Sequence, residues 1–112
     1  MAGDGLVSIK NHNLLSSDGE TEEISMTRTL FILNDAPYGN ERVYNALRLA
    51  GALVNKEDQH VRVFLLADAV TCAKAGQKVP EGYYNVQLML RKLLHKGELA
   101  MCGTCMDARG MT

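Results

Sequence analysis

Glu98-Leu99-Ala100-Met101-Cys102-Gly103-Thr104-Cys105-Met106-Asp107-Ala108-Arg109-Gly110 carries a short apolar segment straight into two cysteines at C-x-x-C spacing. Glu98 to Met101 reads as a buried strand. A thiol at the carboxyl end of such a strand, followed by Gly103, sits where open α/β sheets build their sites. No other segment pairs two cysteines this closely, so the chemistry is placed here and the rest of the chain reads as the scaffold that delivers it.

Upstream of that strand, Asn85 to His95 carries a helical stripe of Val86, Met89, Leu90, Leu93 and Leu94, with Gly97 where a C-terminal cap is expected. Gly76 to Gly82 is a loop by composition, and Val70 to Lys74 a brief helical turn. Val61 to Leu66 is a second strand that closes at Ala67-Asp68-Ala69. Before it, Val43, Ala46, Leu47, Ala50, Leu53 and Val54 recur at three- and four-residue steps. Asn40 is the N-cap of this helix, Glu41 lies in its first turn, and its end is near Asn55-Lys56. The first strand, Thr29-Leu30-Phe31-Ile32-Leu33, is apolar almost throughout and stops at Asn34-Asp35. That pattern suits burial on both faces, as in a parallel sheet. Pro37 and Gly39 shape a β–α turn around Tyr38.

The order β-α-β-loop-α-β predicts a parallel sheet with right-handed crossovers. All three carboxyl ends then lie along one edge, so Asn34-Asp35, Asp68 and Cys102 face a common crevice.

Residues 1–26 differ in character. Gly3-Asp4-Gly5, Ser16-Ser17-Asp18-Gly19 and Glu20-Thr21-Glu22-Glu23 are turn-rich and acidic, which predicts a flexible leader ahead of a domain over 27–112. At 112 residues, with 46% hydrophobic and 22% charged residues, the chain builds one small globular core. A net charge of -1 argues against a broad electrostatic grip on nucleic acid or anionic lipid. No apolar run reaches the roughly 18 to 20 residues of a membrane helix, and residues 1–26 lack a secretory apolar core. Three cysteines do not make a disulfide framework and suit a reducing cytoplasm.

A C-x-x-C pair serves thiol–disulfide exchange, sulfur transfer or half a zinc site. A structural zinc site takes four ligands, and the chain offers no second pair beside Cys72 and His95, so no metal or other cofactor is expected. A thioredoxin-like fold places the pair after an early strand, whereas here it follows the third. Cys102 is either a nucleophile, with Arg109 and the backbone N–H groups after Gly103 lowering its pKa, or a small packed residue at a strand end. Cys72 reads as a packed residue. Asp35 and Asp68 also suit turn and capping roles.

Together, Asn34-Asp35-Ala36-Pro37-Tyr38-Gly39, Ala46-Leu47-Arg48-Leu49-Ala50, Phe64-Leu65-Leu66-Ala67-Asp68-Ala69-Val70 and Cys102-Gly103-Thr104-Cys105-Met106-Asp107-Ala108-Arg109-Gly110 resemble the DsrE/DsrF-like family, in particular its YchN-like branch. Gly76-Gln77-Lys78 followed by Glu81-Gly82-Tyr83 strengthens the likeness, which covers Met26 to Thr112. The resemblance implies a three-layer α/β/α sandwich with a parallel sheet, assembled as a homo-oligomer, a trimer or hexamer. It also implies a sulfur relay in which the cysteine ahead of an Arg-Gly pair, here Cys102, carries a persulfide. Sulfur donor and acceptor proteins, or small persulfides, would then be its partners. Cys105 would resolve or pass on the load, with Arg109 beside the thiolate, while Asn34, Asp35, Tyr38, Asp68 and Gly103 line the crevice. The alternatives are a non-catalytic oligomeric module that binds a small ligand or partner, and a thiol redox switch.

The chain departs from the family pattern twice. Cys105 is a neighbour that a simple persulfide carrier does not need, and a nearby thiol can unload a persulfide. Family members also continue with a further helix and a strand beside the first. Their lack here predicts an incomplete domain with apolar surface exposed around Leu30 to Leu33, from a fragment or a form that borrows the strand from a partner.

Overall fold

The computed structural model describes residues 6–10, through their backbone, and 26–111. The elements in chain order are β1 (Leu6–Lys10), β2 (Thr27–Leu33), α1 (Arg42–Val54), β3 (Gln59–Leu65), a 3-10 segment (Ala67–Ala73), α2 (Val86–Leu93), β4 (Glu98–Cys102) and α3 (Gly103–Ala108). The sheet order is β1-β4-β3-β2. Strands β2, β3 and β4 are parallel, with Leu33 level with Leu65 and Leu65 level with Met101. Their carboxyl ends therefore open along one edge, in an α/β fold organised around three parallel strands.

The first strand corrects two expectations. Leu6–Lys10 pair antiparallel with β4, Leu6 opposite Cys102 and Lys10 opposite Glu98, so the sheet is mixed and this part of the expected leader is a strand. Residues 1–5 and 11–25 of that leader lie outside the described residues. Five residues between turn-rich flanks carry too little periodicity to be read as a strand. What makes them one is pairing with β4, from Lys10 with Glu98 to Leu6 with Cys102, far along the chain.

One face of the sheet holds the core. Alternate residues Phe31 and Leu33 of β2, Val61, Val63 and Leu65 of β3, and Leu99 and Met101 of β4 point to it. Val43, Leu47, Ala50 and Val54 of α1 close over them, with Val86, Leu90 and Leu93 of α2 and Ala69, Val70 and Cys72 of the 3-10 segment. Each valine or leucine buried this fully contributes about 1.5–3 kcal/mol, an upper bound because unfolded chains already bury some of this surface. The stripe of α1 thus outweighs any local helix propensity in fixing it.

The other face is different. Leu30 and Ile32 of β2 are 55% and 60% exposed, so β2 is not buried on both faces as its composition suggested, and apolar surface is exposed around Leu30 to Leu33 as the family pattern led one to expect. The reason is topological: β2 is an edge strand, and α1 and α2 pack on the same side of the sheet. Among the described residues the second helical layer of a three-layer sandwich is not formed. On this outer face Glu98, buried, accepts from Arg62 Nε at 2.9 Å and pairs with His60 Nε2 at 3.2 Å.

The local signal holds at the start of α2 and shifts by one residue at the start of α1. Asn85 Oδ1 accepts from Leu88 N at 3.1 Å and caps α2. At α1 the N-cap is Glu41 and not Asn40, with no side-chain cap hydrogen bond and no acidic residue in the first turn; Asn40 Oδ1 accepts from Arg42 N at 2.9 Å just ahead of the helix. Gly97 is not the left-handed cap expected after α2. It is required instead by close approach: a Cβ there would lie 3.2 Å from the carbonyl oxygens of both Leu93 and Val61. Among the described residues no helix is long and apolar enough to cross a membrane.

Candidate functional site

Cys102 is both the last residue of β4 and the N-cap of α3, with an extended backbone at φ -72, ψ 115. The strand-to-helix turn aims its sulfur back at the first turn of the helix, where Cys105 N donates to Sγ at 3.4 Å. That N–H is the largest influence holding the thiol below its usual pKa. The Cys105 side chain adds a second hydrogen bond, partial burial works against both, and the Thr104 N–H and the Arg109 charge contribute least. Gly103, buried, occupies the first position of α3. Hydrogen bonds to the sulfur favour its anionic form, the reactive one.

Cys105 is anchored from another element. Its Sγ accepts from Ala67 N at 3.2 Å, and Ala67 has φ +53, left-handed for a residue with a Cβ. That conformation costs an alanine roughly 1–2 kcal/mol, and here it turns the N–H at the head of the 3-10 segment toward the sulfur.

Arg109 straps the two elements together. Its Nε and Nη2 donate to Asp68 Oδ1 at 3.2 and 2.9 Å, and its Nη1 donates to the Cys105 carbonyl at 3.0 Å. Gly110, at φ +70, ends α3: Met111 N donates to Met106 O and Gly110 N to Asp107 O, the paired bonds of a Schellman ending. The sequence expected Arg109 to act mainly as the cation beside Cys102. Its guanidinium is instead committed to Asp68 and to the helix carbonyl, and its electrostatic effect on Cys102 is the smallest of those acting.

The DsrE/DsrF-like family model matches residues 27–112. The chain belongs to the DsrE/DsrF-like family. It is 44% identical to protein YchN of Escherichia coli K12 over 89 residues, 78% of this chain and 75% of that protein. It is also 41% identical to a protein of Methanopyrus kandleri over 83 residues, 72% of this chain and 66% of that one. The crystal structure of the ychN protein from E. coli superposes with a TM-score of 0.67 at 41% identity, covering 77% of this chain and 74% of its own.

Within this DsrE/DsrF-like fold the remaining candidates disperse. Strand order sets β2 two strand spacings from β4, about 10 Å, so Asn34-Asp35 shares the edge with Cys102 but stands beyond the end of β3. Asp35 pairs with Arg42 at 3.1 Å, both partly exposed. Tyr38 is a brace: its hydroxyl donates to Gln77 Oε1 at 2.6 Å and accepts from Val86 N at 3.2 Å, while its ring stacks on Tyr84. Cys72 is fully buried, and burial pushes its thiol up to about 12, which makes it inert at neutral pH. No group of three or more His, Cys, Asp or Glu that could hold a metal occurs among the described residues.

Two residues of this family member's site region escaped the sequence reading. Ala67 contributes only a backbone N–H, and no side-chain pattern marks it. Gln77 donates from Nε2 toward the carbonyls of Thr71, Cys72 and Lys74 while receiving Tyr38, so it organises the loop before α2. Its place inside Gly76-Gln77-Lys78, a run that carries the family resemblance, is the available signal, but the likeness alone assigns Gln77 no role.

Proposed function

We propose that this protein is a sulfur relay: Cys102 accepts a sulfane sulfur as a persulfide and passes it to an acceptor. The observation that carries the reading is the Cys102 sulfur at the end of β4, receiving the Cys105 N–H and held below its usual pKa. A thiolate so held attacks the outer sulfur of a donor persulfide and displaces the donor thiolate. In this reading the partners are sulfur donor and acceptor proteins or small persulfides. The working form is a homo-oligomer, a trimer or hexamer, acting in the cytoplasm. Membership of the DsrE/DsrF-like family supports the assignment, and the chemistry rests on the site.

The test is intact mass after exposure to a small persulfide donor and its removal. Cys105→Ser, which keeps the load from being resolved, is expected to gain one sulfur atom, mapped to the Cys102 peptide. Cys72→Ser in the same background gains it too, and Cys102→Ser does not. Uptake by Cys102→Ser that is lost in Cys72→Ser would sink the assignment. A Cys102–Cys105 disulfide that forms reversibly, with no variant ever gaining sulfur, would favour the thiol-switch reading.

A further inference from the structure

We infer that Cys105 unloads Cys102 by releasing hydrogen sulfide, so that the site reduces sulfane sulfur as well as carrying it; this rests on the relay reading above. A carrier that only hands sulfur to a partner needs one thiol. Here a second thiol is built into the same helical turn and held by a residue of another element.

Three observations carry the inference. Cys102 is the N-cap of α3 and Cys105 stands three positions on, with its backbone N–H donating to the Cys102 sulfur at 3.4 Å. The extended backbone of Cys102 turns its sulfur into the first turn of α3, so the two thiols belong to one turn. Second, the Ala67 N–H donates to Cys105 Sγ at 3.2 Å, which fixes the position of that sulfur from a second element. Third, Arg109 ties the Cys105 carbonyl to Asp68, so α3 and the 3-10 segment that carries Ala67 keep their spacing while the sulfurs react.

The step balances within the pair. Cys105 gives up its thiol proton, and the thiolate attacks the inner sulfur of the Cys102 persulfide. The new Cys102–Cys105 bond forms as the persulfide S–S bond breaks. The outer sulfur leaves with the electron pair as hydrosulfide and takes up the proton, giving hydrogen sulfide. The two cysteine sulfurs are oxidised to a disulfide and the sulfane sulfur is reduced. A second turnover then needs an external dithiol to reopen the disulfide.

The experiment is a single turnover on the full chain. Reduced protein is exposed to a small persulfide donor and desalted, and sulfide and intact mass are followed in time. The wild type is expected to release sulfide stoichiometric with loading and end lighter by two hydrogens, with the disulfide mapped to Cys102–Cys105. Cys105→Ser and Cys105→Ala, both checked for native circular dichroism, keep the added sulfur and release none. A wild type that holds its added sulfur as long as these variants, without sulfide, overturns the inference and leaves the relay intact. Failure of all three to take up sulfur overturns the relay reading itself, and this inference with it.

Discussion

The Ala67 N–H donates to Cys105 Sγ over 3.2 Å from a backbone at φ +53, so a strained turn after β3 reaches the first turn of α3. No side-chain chemistry at position 67 makes this bond; only the backbone orientation does. Substitutions there separate the strain from the bond. Ala67→Val, β-branched in the left-handed region, should lower stability by about 1–3 kcal/mol. Ala67→Gly should leave stability within about 1 kcal/mol, relief of the strain being offset by unfolded-state entropy. Urea denaturation measures both, and a Val variant as stable as the wild type would mean the left-handed turn is not kept in solution.

Cys102 and Cys72 should differ sharply toward a small alkylating reagent. The thiolate fraction, and so the rate, rises with pH through the pKa. A pKa below the usual thiol value moves the Cys102 profile to lower pH, and one of about 12 leaves Cys72 unreactive until the protein unfolds. Cys105→Ala removes one hydrogen bond to the Cys102 sulfur and should move its midpoint back up. Arg109→Gln should move it less, because the guanidinium charge is the weakest of the influences acting. Rate–pH profiles with peptide mapping decide the order, and a larger shift in Arg109→Gln would reverse it.

Gly110→Ala tests how the helix ending positions Arg109. The added Cβ is strained at φ +70, and the cost should be about 1 kcal/mol. Open space around the position means no packing clash adds to it. Thermal unfolding reads the loss, and a loss several times larger would point to a contact that the Schellman ending does not explain.

Tyr38→Phe removes one hydroxyl from between Gln77 and the Val86 N–H. The site is partly exposed, so water replaces part of what is lost and the cost should be about 1 kcal/mol. Gln77→Ala removes the Nε2 donor shared by three carbonyls as well as the Tyr38 acceptor, and should cost more. Hydrogen exchange of residues 71–87 should rise in both, while Cys102 alkylation stays close to the wild type. A large loss of Cys102 reactivity in Tyr38→Phe would instead place Tyr38 in the crevice.

The sequence by itself determined the parallel strands, the two longer helices and the strand that ends at Cys102. These rest on periodicity and capping within a few residues, as with Asn85 bonding Leu88 three positions on. The burial of Cys72 was legible for the same reason, as one more apolar position in a core segment. The tertiary structure alone decided what surrounds the thiol. Ala67 meets Cys105 across 38 positions and Asp68 meets Arg109 across 41, and no local pattern records either contact. By composition alone Leu30 and Ile32 read as core, and only the comparison with the family pattern pointed to their exposure. Only the strand order, with β2 at the edge and both long helices on one face, leaves them exposed. Side-chain period specifies which residues share a face. What covers that face, and which backbone N–H reaches a sulfur, depends on how distant segments pack.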